Sequence, residues 1–153
     1  MMKAKIGILI VIACLFVIGE GGMTGEGGDG DIPQTQNSLL LPYFKEAYPE
    51  KEIILLSEGD CNADGIDDLV VVYRENENKN HMVTVYSHDG GYSLTNHMPA
   101  PFEDCKLEWK DVSERGQLDL VISGRRGIHY GISVLRFDDG EWINLFGGME
   151  ECC

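Results

Sequence analysis

A thirteen-residue pattern occurs twice in this chain, 51 positions apart. Asp60-Cys-Asn62-Ala-Asp64-Gly65-Ile-Asp67-Asp68-Leu-Val-Val-Val is matched by Asp111-Val-Ser113-Glu-Arg115-Gly116-Gln-Leu-Asp119-Leu-Val-Ile-Ser. A repeat of this period constrains the fold strongly, because each copy must form the same supersecondary unit and bury one face on its neighbour. Apolar residues precede each copy: Ile53-Ile54-Leu55-Leu56 in the first, Leu107 and Trp109 in the second. After each come two alternating apolar runs joined by Asp-Gly, at Asp89-Gly90 and Asp139-Gly140. Such a turn demands positive φ and marks a hairpin. Each copy therefore reads as about four short antiparallel strands, the content of one propeller blade. The expected fold is mainly β, with repeats over about 53–97 and 104–146.

Upstream, Ser38–Glu50 carries Leu39, Leu40, Leu41, Tyr43, Phe44 and Ala47. A short helix starting near Pro42 is expected there, since proline suits a first helical turn. It would cap an open face of the β-domain, 38–146. Residues 20–37 are rich in glycine and acids and read as a flexible tether. The N-terminus is a targeting segment: Lys3 and Lys5, then 14 residues without a charge, Ile6 to Gly19. That length fits a signal-peptide core and is short for a membrane span. Three readings stay open. Cleavage after Gly19 is one. Lipidation of Cys14 in a lipobox-like Val11-Ile12-Ala13-Cys14 is another. Retention of residues 1–19 as an anchor is the third. All three put the domain outside the cytoplasmic membrane, touching it only through the N-terminus. The net charge of −14 repels nucleic acid and anionic lipid and attracts cations.

Asp60, Asn62, Asp64, Gly65 and Asp68 have the spacing of a calcium loop: oxygen ligands at positions 1, 3, 5 and 9, glycine at 6, and a backbone carbonyl at 7 from Ile66. Position 12 is Val71, and a strand rather than a helix follows, so this is no EF-hand. Over about residues 53–146 the pattern resembles the FG-GAP or VCBS repeats, whose loops of this kind join strands of propeller-like blades. In the second copy Arg115 and Ser113 replace an acid and an amide, and the arginine places a cation where the ion would sit, so calcium is expected at the first loop only. A turn held by side-chain-to-backbone bonds is the competing reading.

The chain ends Glu150-Glu151-Cys152-Cys153, with Gly147 and Gly148 just before. Cys152 and Cys153 form a soft ligand pair on a segment with reach, suited to a thiophilic metal ion. Linked to each other they would form only a strained vicinal disulfide, which is labile. Cys61 and Cys105 form a possible disulfide or second thiol pair. The exported N-terminus, the length and the Cys-Cys carboxyl end resemble the Cys-Cys-COOH (seleno)protein SaoC family. That resemblance implies transporter components, a thioredoxin-like protein and an organomercurial-lyase-like protein as partners, and heavy-metal or organometal handling as the function. Cys152 and Cys153 are the residues carried over, and both are ordinary cysteine here. The expected function is thus a non-enzymatic, extracytoplasmic protein whose terminal thiols bind and transfer a mercury-type metal or organometal. A dithiol–disulfide redox carrier working with a thioredoxin-like partner is the alternative, and an interaction module with incidental thiols is the third. His81, His88, His97 and His129 are scattered and read as surface or core residues. No nucleophile elbow, catalytic triad or phosphate loop is present.

Overall fold

The computed structural model describes residues 38–148 and 153, all within one compact unit. The expected leader 1–19 with Cys14, the tether 20–37, and Cys152 lie outside the described residues. One helix, α1 (Leu41–Ala47), precedes nine strands: β1 (Ile53–Gly59), β2 (Asp68–Asn76), β3 (Lys79–His88), β4 (Gly91–Leu94), β5 (Met98–Ala100), β6 (Glu103–Lys110), β7 (Asp119–Arg126), β8 (His129–Asp138) and β9 (Glu141–Gly148). No helix among the described residues is long and apolar enough to cross a membrane.

The strands form two antiparallel meanders, one from each copy of the repeat. The first runs β1-β2-β3-β4, the second β6-β7-β8-β9. Asp89-Gly90 (φ 49° and 75°) and Asp139-Gly140 (φ 46° and 86°) make the two expected hairpins, the double positive φ of a turn whose twist matches its strands. One strand is additional. β5 pairs with β3 through Asn80↔Ala100, on the strand edge that β4 occupies further along. The edge is broken at Thr95, whose hydroxyl accepts the Thr84 N–H at 3.0 Å. Pro99 lies on this edge strand, where a missing N–H costs no ladder bond.

The two sheets stack face to face around Val70, Val72, Met82, Tyr86, Leu120, Ile122, Leu135, Phe137 and Trp142. The repeat reveals how they stack. Leu69 and Val71 point away from this shared core, towards α1, whereas their counterparts 51 residues later, Leu120 and Ile122, point into it. Leu56 and Leu107 differ in the same way. The second sheet thus presents to the first the face that the first presents to the helix. The sheets share one polarity, rather than meeting back to back. Both faces of the first sheet are covered, so β2 is buried along Asp68–Tyr73, as a continuous apolar run requires. Trp109 wedges between the sheets, donating to Ser57 Oγ at 2.9 Å. Gly59 makes room for it: a Cβ there would lie 2.5 Å from the indole.

Leu40, Leu41 and Phe44 seat α1 on the outer face of the first sheet. Pro42 lies in its first turn, and the Tyr48 N–H closes its end on the Phe44 carbonyl at 2.8 Å.

Candidate functional site

The aspartate heading each repeat folds its own loop. Asp60 accepts the N–H of Asp64 (3.1 Å) and of Gly65 (2.8 Å). Asp111 accepts those of Arg115 (3.0 Å) and Gly116 (2.7 Å), each 51 residues on. The closing aspartate repeats as well: Asp68 Oδ2 accepts the Cys61 N–H at 3.0 Å and Asp119 Oδ2 the Val112 N–H at 3.2 Å. Gly65 and Gly116 sit at φ 83° and 80°, where a side chain would be strained. The shared pattern thus encodes a loop geometry whatever fills it.

The filling differs. In the first loop Asp60, Asn62 and Asp64 gather at the surface. The Asp64 carboxylate accepts from Ile66 N–H (2.8 Å), from Asn62 Nδ2 (3.0 Å) and from the Ser87 hydroxyl. The Ser87 bond holds the Asp64 carboxyl below the usual carboxylate range. Asp68 stands apart from this mouth. It is fully buried, its two oxygens taken by Cys61 N–H, Cys61 Sγ and Ser87 N–H, and burial pushes its pKa up. Ser87, from β3, belongs to the cluster although no local motif announced it. Among the described residues, no three His, Cys, Asp or Glu side chains converge as a cage; the oxygen set of the first loop is two carboxylates, an amide and a hydroxyl.

In the second loop the cation comes from elsewhere than expected. Arg115 is exposed and contributes its N–H. The guanidinium that enters is Arg136, from β8: Nε reaches Asp119 Oδ1 at 2.8 Å, and Nη2 reaches Asp119 Oδ2 at 3.0 Å and Ser113 Oγ at 2.8 Å. A fork-on-fork pair of this kind is strong and directional.

The described cysteines occupy different environments. Cys61 is sealed in the core as a thiol, its Sγ donating to Asp68 Oδ2 at 3.0 Å. Desolvation and the Asp68 carboxylate push its pKa far up. Cys105, on β6, packs at the margin of the same core. Cys153 is half-buried and borders a cleft of about 380 Å³ between the sheets, with Met98 and Pro99 of β5 and Ser133 and Leu135 of β8. Arg126 Nη1 donates to the Cys153 carbonyl oxygen at 3.3 Å.

Searches against protein-family models, curated proteins and solved structures found no match to this chain.

A second polar cluster lies under the end of α1. His97 is clamped between two tyrosines, with Nε2 2.8 Å from the Tyr48 hydroxyl and Nδ1 2.6 Å from that of Tyr73. Glu75 receives Lys51 at 2.7 Å and faces His81 at 3.9 Å. Burial, then the neighbouring Tyr48 and Glu75, push the Tyr73 phenol up to about 12. The cluster ties the helix to the β4–β5 connection. The scattered histidines gave no sign of it, because its members come from four separate segments.

Proposed function

We propose that this chain is an extracytoplasmic metal-transfer protein whose terminal thiols, Cys152 and Cys153, capture a thiophilic heavy metal or organometal. The observation that carries this reading is the contrast among the thiols. Cys61 is buried, hydrogen-bonded and held protonated and Cys105, half-buried, packs at the core margin, whereas Cys153, half-buried as well, borders a cleft. Metal exchange needs a sulfur that can reach both carrier and receiver, and adjacent thiols permit stepwise release. Transporter components, a thioredoxin-like protein and an organomercurial-lyase-like protein are the partners that the family resemblance suggests.

The test is a mercury titration of the reduced protein against a form lacking Cys152 and Cys153, with glutathione as competitor. The complete protein should bind one mercuric ion well above the affinity of a single thiol. The second sulfur acts intramolecularly, at an effective concentration of roughly millimolar or more. The truncated form should lose this site with Cys61 and Cys105 intact. If both forms hold mercury equally, capture by the tail fails, and the dithiol–disulfide carrier takes its place.

We also infer that the two sheets are blades of FG-GAP or VCBS type and that the first loop binds calcium structurally. Loop hydrogen bonds repeated at a spacing of 51 and sheets stacked with one polarity support the blades. The gathered oxygens of Asp60, Asn62, Asp64 and Ser87 support the ion. Calcium should raise the melting temperature, since a ligand at a hundred times its Kd adds about 2.7 kcal/mol of stability. Asp64→Ala should abolish the shift and Ser113→Ala should leave it. A melting temperature indifferent to millimolar calcium would leave a dry turn.

A further inference from the structure

We propose that the outer face of the second sheet docks a second copy of this chain, closing a two-fold dimer. The proposal does not depend on the thiols of the chain end. It starts from the repeat. In the first sheet the paired residues Val70 with Thr84 and Val72 with Met82 lie on the face buried against the second sheet. Trp142 reaches across to that face, its Nε1 donating to Thr84 Oγ1 at 2.9 Å. The same places on the second sheet hold Val121 with Val134 and Ser123 with Ile132. Because the sheets share one polarity, this face points outward, and among the described residues no third sheet lies on it. Its composition is nevertheless that of a covered face. β9 adds Phe146 opposite Val134 and Ile143 opposite Arg136. Ile132 is 49%, Ile143 46% and Phe146 56% exposed, beside a buried Val134. A contiguous apolar patch of this kind on a folded domain marks an interaction site.

Three features point to a second copy as the occupant. The first is charge that complements itself. β6 borders the patch with Lys106, Glu108 and Lys110, which pair with Ser123, Val121 and Asp119 and so face the same side. A two-fold axis across the strands lays this plus–minus–plus row on its own reverse, and a shift of one place sets each Lys106 against Glu108 of the other copy. An isologous contact requires a patch of this self-complementary kind. Further in, Arg136 and Asp119 neutralise each other at 2.8 Å. The second feature is area. Four strands of eight to ten residues span a face of about 19 Å by about 27 Å at the usual strand spacing and rise. Two such faces bury about 1,000 Å², the lower end of specific interfaces and the size of a reversible one. The third is the far end of the stack. Setting the outer face of the second sheet on the outer face of another copy's first sheet would repeat the internal stacking and build an open filament. α1 closes that route, because Leu40, Leu41 and Phe44 already occupy the outer face of the first sheet. Like faces can still meet, and their contact ends at two copies.

The test is sedimentation equilibrium of the full chain in non-ionic detergent, with reductant present so that no disulfide links the copies. The wild-type chain should interconvert between monomer and dimer with a Kd below about 1 mM. Ile132→Lys and Ile143→Lys each bring an unpaired cation into the contact and should weaken the dimer by about tenfold or more. Both sites are about half exposed in the single chain, so the urea midpoint should not move. Glu108→Lys sets lysine against lysine and should also weaken the dimer about tenfold. Tyr43→Lys, exposed on α1, should leave it intact. A wild-type chain that stays monomeric to about 1 mM overturns the proposal, as does a filament or larger assembly. So does any of the three face variants that folds and keeps wild-type affinity, the result expected if residues elsewhere hold the copies together. Loss of the dimer in Tyr43→Lys overturns it as well.

Discussion

Asp119→Ala is expected to destabilise the domain by about 3–5 kcal/mol, the cost of leaving one member of a buried ion pair without its partner. Asp119 is fully buried and Arg136 17% exposed, so water cannot readily take over the guanidinium. The substitution removes the Asp119 acceptors of Arg136 Nε and Nη2, leaving Ser113 Oγ on Nη2, and releases the Val112 N–H that begins the loop. Ser113→Ala removes one acceptor from the same guanidinium and should cost about 1 kcal/mol. Asp68→Ala is the informative comparison. Asp68 has the same place in the repeat, but its partners are two N–H groups and a thiol, with no cation. Its pKa is already raised by burial, so less charge stabilisation is at stake and the loss should be smaller than at Asp119. Urea unfolding of the three variants checks the order; a loss below about 1 kcal/mol at Asp119 would show that the pair barely exceeds its desolvation cost.

Phe44→Ala should cost about 3–5 kcal/mol, as large-to-small changes in a packed core do. Phe44 has no exposed surface and packs against Tyr48 (ring centroids 5.2 Å apart) and Tyr73 (5.6 Å). With a helix of only seven residues, too short to hold its shape unaided, loss of this anchor should release α1 as a unit. The clamp of Tyr48 and Tyr73 on His97 should loosen with it, visible as a change in near-ultraviolet circular dichroism. Retention of both stability and the aromatic signal would mean that the first sheet keeps its outer face covered without Phe44.

The strand count of each repeat, the two hairpins and the helix at Pro42 were all legible in the residues. Each depends on local chemistry: Asp-Gly for a turn with positive φ, proline for a first helical turn, alternating or continuous apolar runs for strands. β5 was missed because three residues around Pro99 carry no period of their own; they become a strand only because β3 offers an edge. The loops were read correctly as a repeated pattern, yet the cation of the second was assigned to Arg115, within the motif. A linear spacing cannot show that β8 carries Arg136 into the loop from outside it. Ser87 escaped for the same reason.

By itself, then, the sequence determined two like β units, the loops that open them, and two thiols at the chain end. Those follow from backbone dihedral preferences and from side chains that satisfy nearby N–H groups, which act over a few residues. Tertiary structure alone decided which face of each unit is buried, because that depends on what packs there: α1 on the first sheet, and the first sheet on the second. It also sealed Cys61 against Asp68, clamped His97 between two tyrosines, and set Cys153 on a cleft that Met98 and Ser133 also line. These are meetings of residues distant in the chain, created by stacking the sheets, and no local preference encodes them.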